Sequence, residues 1–187
     1  MNAPKMIPSG SQTVGPYFHI GLDYMLGYTP GSDLAFDTIR IRGKVMDRDG
    51  ASVSDAMLEF WSADNRGTHS GTLSGHSGKP VGFHRVATDS NGGFLVTLDK
   101  PGPTPLGNGQ IQAPHLVVLV FARGLLRHLI TRVYFEHETA NAVDPVLLTI
   151  PEERRHTLIA RSDADCPQAL QWNVILQGDN ETVFFAW

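Results

Sequence analysis

The sequence predicts an all-β protein, a β-sandwich of mixed short strands with an irregular N-terminal arm and few short helices. Several short segments alternate between apolar and polar residues, and others are rich in β-branched residues. The 19 glycines and 12 prolines provide frequent turns, and no long segment has the apolar period of a helix. The length of 187 residues, with 41% hydrophobic and 18% charged residues, suits one globular domain.

Residues 1–37 form the predicted arm, which is rich in Pro, Gly and Tyr and has no sustained periodicity. A disordered tail rarely holds many large apolar residues, because it has no core in which to bury them. This arm nevertheless contains Tyr17, Phe18, Ile20, Leu22, Tyr24, Leu26 and Tyr28. We therefore expect it to pack on the body of the chain or on another subunit.

The body begins at residue 38 with alternating apolar and basic residues over 39–45, which predict a half-buried strand. Residues 47–50 predict a turn in which Gly50 takes a positive φ. A second strand is predicted over 56–61, followed by a long surface loop over 66–82, which is rich in Gly, Ser and His.

The remaining elements are also short. Residues 115–122 are almost continuously apolar, which favours a central strand buried on both faces over a buried helix turn. Further strands are predicted around 94–98 and over 130–135, 172–177 and 182–185, with helical turns near 139–143 and 151–155.

Composition and charge exclude several classes of partner. The net charge of −4 provides no attraction for nucleic acid or anionic lipid. No apolar stretch approaches the roughly 18 residues of a membrane span, and the N-terminus has no apolar run typical of a signal peptide. The single cysteine, Cys166, suits a reducing compartment and is interpreted as an incidental thiol. These features predict a cytoplasmic protein.

The most informative motif is Pro101-Gly102-Pro103-Thr104-Pro105, here called the Pro-Gly frame, followed by His115-Leu116-Val117. It resembles the intradiol ring-cleaving dioxygenases, whose iron-bearing chains have Tyr at the fourth position of this frame and His-x-His after it. Here Thr104 and Val117 occupy two of those ligand positions, and only His115 remains. The other tyrosine ligand would be expected around residues 67–82, which contain no Tyr.

Four blocks carry the resemblance to the two-chain members of this family: residues 11–21, 43–64 (similar to the first hairpin of the family's sandwich), 121–135 and 177–185. The resemblance implies a hetero-oligomer whose beta subunit holds ferric iron with two tyrosines and two histidines, since phenolate oxygens suit a trivalent metal. It implies a reaction of protocatechuate with dioxygen to 3-carboxy-cis,cis-muconate. This chain would be the iron-free subunit, with no metal ligand or catalytic residue of its own.

The resemblance also places Thr13, Gly15, Pro16 and Tyr17 where the arm would line the partner's substrate pocket. Glycine lets a backbone approach a ligand closely, proline stiffens the turn, and tyrosine provides an aromatic wall with a hydroxyl. The alternative is that these residues only anchor the arm in a subunit interface. The division implied is an arm over residues 1–37, packing on the partner, and a dioxygenase-like β-sandwich over 38–187.

Arg132 is the second candidate for substrate binding. Its guanidinium could handle the ring carboxylate of a dihydroxybenzoate, directly or by attracting it. Alternate residues place Tyr134 on the same face of the strand. The competing interpretation pairs Arg132 with a carboxylate such as Glu136.

The histidines give no metal motif. We expect His69, His76 and His84 to be solvated loop residues, because their spacing matches no recognised ligand set. His115 is interpreted as a former ligand held by a hydrogen bond in a core. Glu136, His137 and Glu138 are read as a charged strand end.

Two other functions stay open at this point. One is a catalytically inert sandwich that stabilises a complex or binds a small aromatic ligand. The other is a self-sufficient dioxygenase with unusual ligands.

Overall fold

The computed structural model describes residues 38–69, 82–107, 109–166 and 168–186. The arm lies outside these ranges, so the expectation that it packs on a partner concerns residues that the structure does not describe. The same holds for the site candidates Thr13, Gly15, Pro16 and Tyr17 and for the loop histidine His76. The described part is built of strands and short helical turns, so the predicted all-β class is confirmed.

Eleven strands are described: β1 Thr38–Met46, β2 Met57–Ser62, β3 Phe83–Ala87, β4 Gly93–Asp99, β5 Thr104–Pro105, β6 Ile111–Gln112, β7 His115–Phe121, β8 Leu129–Phe135, β9 Ile159–Ser162, β10 Leu170–Gln171 and β11 Val174–Ile175. The helical turns are the α-helix Glu152–Arg155 and the 3₁₀ segments Thr139–Val143, Leu147–Thr149 and His156–Leu158. The turns predicted near 139–143 and 151–155 are therefore confirmed. In the described ranges every helix is too short to cross a membrane.

Nine strands form one mixed sheet that curls until it nearly closes into a barrel. The strand order is β11-β1-β10-β9-β8-β7-β2-β3, with β4 antiparallel to β1, while β5 and β6 form a separate hairpin. The inner face buries a continuous apolar core that includes Ile41, Val45, Leu58, Phe60, Phe94, Leu98, Leu116, Val118, Val120 and Val133. Burial of this core is the main favourable term in folding.

Strand β7 is central, as predicted, since it pairs with β2 on one side and β8 on the other. Its burial differs from the prediction. Leu116, Val118 and Val120 are fully buried in the core, whereas Val117 and Leu119 are only half-buried on the opposite side. We call that opposite side of the β2–β7–β8 sheet the outer face.

The resemblance of residues 43–64 to a hairpin predicted that β1 pairs with β2, and this prediction is wrong. Strand β1 pairs with β4, β10 and β11, while β2 pairs with β3 and β7. The turn at residues 47–50 forms with Gly50 at a φ of 76°, as predicted. Beyond it the chain makes only an isolated bridge between Met46 and Ser52. The turn therefore ends β1 without starting a paired strand.

The C-terminal strands are shorter than predicted, because side chains replace parts of the ladder. The Trp172 indole is buried and donates from Nε1 to the carbonyl of Thr157 at 2.9 Å. Oδ1 of Asn173 accepts from the amide of Lys44 at 3.0 Å. Together these contacts separate β10 from β11. The strand predicted over 182–185 is reduced to a bridge between Phe185 and Ile130. Strands β3, β5, β6, β9 and β10 were not predicted.

Gly43 permits the close approach of β1 to the chain between β10 and β11. A Cβ at this position would lie 1.7 Å from the carbonyl oxygen of Trp172. Trp172 also donates its amide to the Arg42 carbonyl at 2.9 Å. Only glycine fits this contact, because the obstacle is backbone and cannot rotate away.

We predict that Gly43→Ala lowers the free energy of unfolding by about 3 kcal/mol or more, because two paired backbones must separate. Gly50→Ala is the matched control. Gly50 has a positive φ but nothing within 4 Å of the added methyl group, so only about 1–2 kcal/mol should be lost. Urea unfolding of both variants measures the difference. Equal losses would contradict the proposed role of Gly43.

Candidate functional site

The Pro-Gly frame is held by the turn that follows β2. The amide of Gly102 donates to the carbonyl of Asp64 at 2.9 Å. A Cβ on Gly102 would lie 2.3 Å from the Asn65 carbonyl oxygen, and one on Gly67 would lie 1.8 Å from that of Pro103. The glycines of the frame and of the turn are therefore required by packing, whether or not a metal is bound nearby.

The frame leads into the β5–β6 hairpin, in which Thr104 stands directly opposite Gln112. Both side chains are buried, and Nε2 of Gln112 donates to Oγ1 of Thr104 at 3.2 Å. The position that the resemblance gives to a tyrosine ligand is thus occupied by a hydroxyl already engaged in a hydrogen bond.

His115 begins β7 and is buried, with 7% of its surface exposed. Its Nδ1 lies 2.8 Å from the carbonyl oxygen of Ala113. Since a carbonyl can only accept, Nδ1 carries the proton. Burial, helped by the nearby Arg132 charge, lowers the pKa of His115 to about 4. The expected hydrogen-bonded core histidine is confirmed, and it is neutral at physiological pH.

Arg132 lies in β8, directly opposite Val117 of β7. Its Nη1 donates to Oε1 of Gln112 at 2.8 Å and to Oη of Tyr134 at 3.3 Å. The predicted shared face of Arg132 and Tyr134 is confirmed. The pairing with Glu136 is wrong, because that carboxylate follows β8 and accepts from the amide of Ser162 at 2.7 Å.

Asp144 closes this chain of contacts beneath Tyr134. It is fully buried, and its Oδ1 accepts from the Tyr134 hydroxyl at 3.1 Å. The backbone amides of Ala113, Val146 and Leu147 also donate to the carboxylate, at 2.7, 3.0 and 2.6 Å. Four donors satisfy a charge that would otherwise be costly to bury. Burial raises the pKa of the Tyr134 hydroxyl above its ordinary range.

We call Thr104, Gln112, Arg132, Tyr134 and Asp144 the Arg132 network. This arrangement does not fit ferric iron. A trivalent cation needs anionic oxygen donors, whereas here a permanent guanidinium charge lies beside His115. In the described ranges there is no cluster of His, Cys, Asp and Glu that could hold a metal.

The structure brings together four positions singled out in the sequence, Thr104, His115, Val117 and Arg132. Gln112, Tyr134 and Asp144 complete the arrangement. Of these three residues, only Tyr134 could be linked to the site from the sequence, because it shares a strand face with Arg132. Asp144 lies between two 3₁₀ turns, and its burial has no counterpart in any sequence pattern.

The other histidines differ in position. His84 lies on β3 and is buried, so its expected solvation is wrong, and burial lowers its pKa to about 4. His69 is exposed, as expected. His137 falls in a turn after β8 with a φ of 65°. Glu136 and His137 therefore lie beyond the strand they were expected to end.

The low pKa of His115 predicts acid-sensitive stability. Between its ordinary value of 6.5 and about 4, the unfolded chain binds a proton at this residue and the folded chain does not. The contribution of neutral His115 to the free energy of unfolding is therefore fully present above pH 7 and is lost as the pH drops towards 4. His115→Gln should lose roughly 3 kcal/mol less than the wild type between pH 7 and pH 4. Urea unfolding at several pH values measures this difference.

The control is His156→Gln, since His156 is exposed and its replacement should leave the pH dependence as in the wild type. Parallel pH profiles for His115→Gln and the wild type would contradict this assignment.

Comparison with known proteins gives the family. A family model described as Dioxygenase matches residues 23–178. The alpha chain of protocatechuate 3,4-dioxygenase from Burkholderia cepacia is 42% identical over 202 residues, covering 99% of each chain. The alpha chain from Pseudomonas putida is 37% identical, covering 94% of each chain. The Burkholderia cepacia beta chain is 25% identical and covers 92% of this chain and 77% of that one.

Solved structures agree on the fold. The structure of 3-chlorocatechol 1,2-dioxygenase from Rhodococcus opacus 1CP matches with a TM-score of 0.61 at 22% identity, covering 94% of this chain and 69% of that one. A dioxygenase domain from Streptomyces sp. SirexAA-E matches with a TM-score of 0.60 at 21% identity, covering 92% and 100%. From the matching family model and the curated relatives, this chain belongs to the dioxygenase family, within the group of protocatechuate 3,4-dioxygenase alpha chains.

Proposed function

We propose that this chain is the iron-free alpha subunit of protocatechuate 3,4-dioxygenase. It would complete the active site of a beta chain that holds ferric iron and cleaves protocatechuate with dioxygen to 3-carboxy-cis,cis-muconate. The observation that carries the proposal is the Arg132 network, which engages Thr104 at one of the family's tyrosine ligand positions and places a guanidinium charge near His115. The near full-length similarity to two alpha chains supports it.

The partner is a related chain. The Burkholderia cepacia relatives include both an alpha and a beta chain, and this sequence is similar to both. Ferric iron on the partner would bind the two hydroxyl oxygens of the substrate. The residues of this chain would then only bind and orient. A cytoplasmic location is part of the proposal, and it is supported by Cys166, a free thiol that suits a reducing compartment.

The proposed division of the chain assigns the arm, residues 1–37, to the partner's surface and the rest to the dioxygenase-like domain. The proposal assigns pocket lining to Thr13, Gly15, Pro16 and Tyr17. This is supported by their match to the opening segment of the family's chains.

Arg132 is proposed to handle the ring carboxylate. Its Nη1 is engaged by Gln112 and Tyr134. Its Nε has no hydrogen-bond partner among the described residues. The guanidinium therefore keeps donors for an anion, and a carboxylate accepts two such bonds in a planar fork.

The first test separates this function from a self-sufficient dioxygenase. The chain purified alone should be colourless and free of iron. Co-expression with a beta chain that retains two tyrosines and His-x-His should give a coloured complex that consumes oxygen with protocatechuate. Iron bound to this chain alone, with ferric-phenolate colour, would overturn the proposal.

The second test separates it from an inert sandwich. In the complex, Tyr17→Ala and Arg132→Met should each lower kcat/KM by at least ~10-fold, because each removes contacts with the substrate. Arg127→Met is the matched control, since Arg127 is an exposed arginine in the connection before β8. Wild-type turnover in both test variants, with intact assembly, would favour the inert sandwich.

A further inference from the structure

The β5–β6 hairpin has its polar side chains inside and its apolar side chains outside. Strand pairing places Thr104 opposite Gln112, and Pro105 opposite Ile111. The first pair is buried in the Arg132 network. In the second pair, Pro105 is exposed and Ile111 has 63% of its surface exposed. An antiparallel hairpin that only packs on its own domain has the opposite arrangement, with apolar residues inside and polar residues towards water.

The 3₁₀ segments beside the hairpin expose apolar residues as well. Strand β6 lies against Thr139–Val143, and the amide of Ala113 donates to Asp144 at 2.7 Å, which ties the two regions together. Asp144 is fully buried, whereas Val143 beside it is 71% exposed. In the next segment Leu148 is exposed too. The exposed apolar surface of the hairpin therefore continues onto both segments.

A groove connects the hairpin to the second 3₁₀ segment. Leu106 lines it from the hairpin and Leu148 from the segment, and Phe185 near the C-terminus lies between neighbouring elements in the same groove. None of the described residues that line this groove is charged. We use the term apolar patch for the exposed residues around the groove, namely Pro105, Leu106, Ile111, Val143 and Leu148.

The segments that form the apolar patch are depleted in charge. Residues 101–122 contain no Asp, Glu, Lys or Arg, although these residues make up 18% of the chain. Residues 139–151 contain only Asp144, which is buried and does not reach the surface. Single exposed apolar residues are common on protein surfaces, but a cluster without charges has the composition of an interface core. The patch therefore has the chemistry of a surface that another protein covers.

The position of the apolar patch selects the partner. On the inner side of the hairpin, Gln112 accepts from Arg132 at 2.8 Å. Phe185 lines the groove, and its ring centroid lies 5.8 Å from the guanidinium carbon of Arg132. The proposed function brings the beta subunit to Arg132. A chain that reaches this guanidinium also lies over the adjoining groove, so the beta subunit fits the position better than a second copy of this chain.

We propose that the apolar patch is the centre of the surface on which this chain binds the beta subunit, with Leu106 and Ile111 inserted into an apolar recess of that subunit. The inference rests on the proposed function for the identity of the partner, and it adds where on this chain the partner binds. Because the contact is apolar, added salt should leave the association unchanged, whereas a contact made by surface ion pairs would weaken.

Hydroxyl-radical footprinting, read by mass spectrometry, tests which molecule covers the patch. Leu106, Ile111 and Leu148 should be oxidised in the full chain purified alone and protected in the complex co-expressed with a beta chain. Leu126 is the internal reference. It is 80% exposed in the connection between β7 and β8, at the end of these strands remote from the hairpin. It should react equally in both samples.

Three outcomes of the footprinting would overturn the inference. Equal oxidation of the patch in the free chain and in the complex would show that the beta subunit does not cover it. Protection in the free chain at every concentration would assign the cover to the arm of the same chain. Protection that appears only as the concentration of the free chain rises would assign it to a second copy.

Ile111→Asp tests the contribution of the patch to affinity. The exposed position tolerates a carboxylate in the free chain, but an interface would bury that charge without a partner. Association with the beta subunit, measured by sedimentation velocity of mixtures, should weaken at least ~30-fold. Leu126→Asp is the matched control and should associate as the wild type does. Circular dichroism checks that both free variants are folded. Wild-type affinity in Ile111→Asp would overturn the inference.

The two claims fail separately. If the proposed function is wrong, the complex lacks turnover of protocatechuate or this chain carries iron. If only the inference is wrong, the complex assembles and turns over protocatechuate, but the apolar patch stays reactive within it and Ile111→Asp assembles like the wild type.

Discussion

The buried guanidinium of Arg132 is the constraint on which the rest of the site depends. It joins the β5–β6 hairpin, through Gln112, to β8 and the 3₁₀ segments, through Tyr134 and Asp144. Its charge is permanent, so these neighbours must be neutral or already satisfied. A second cation in this space would repel it strongly in a low-dielectric interior. The hydrogen bonds of the Arg132 network therefore hold these side chains in place without a metal.

The Pro-Gly frame can persist because its own packing does not depend on metal ligands. Gly102 and Gly67 fit against backbone carbonyls of the turn after β2 and of the frame itself. These contacts fix the hairpin that carries Thr104 and Gln112. A chain can therefore lose the phenolate and imidazole ligands while keeping the geometry around them. The proposed division of labour then assigns substrate positioning to this chain and the oxidation chemistry to the partner.

The sequence predicted the site better where the signal was a period or a motif. The alternation in β1 and β4 and the shared face of Arg132 and Tyr134 follow from the period of two, while the continuous Val-rich run predicts β7 as a central strand. The sequence does not predict that β7 is fully buried on one face only, or that β10 and β11 are separate strands. Both depend on tertiary contacts, such as the Asn173 amide oxygen that takes the place of a ladder carbonyl. The burial of Asp144 also depends on tertiary contacts, because its three backbone amide donors come from two separate segments.

Ferric-iron binding after the missing ligands are restored in this chain tests whether the Arg132 charge excludes the metal. Thr104→Tyr with Val117→His would add a phenolate and an imidazole beside Nε2 of His115. If the Arg132 charge keeps the site free of metal, this double variant should still bind no ferric iron. Adding Arg132→Gln should then allow binding, seen as ferric-phenolate absorption. Equally tight iron binding with and without Arg132→Gln would show that the Arg132 charge does not exclude the metal.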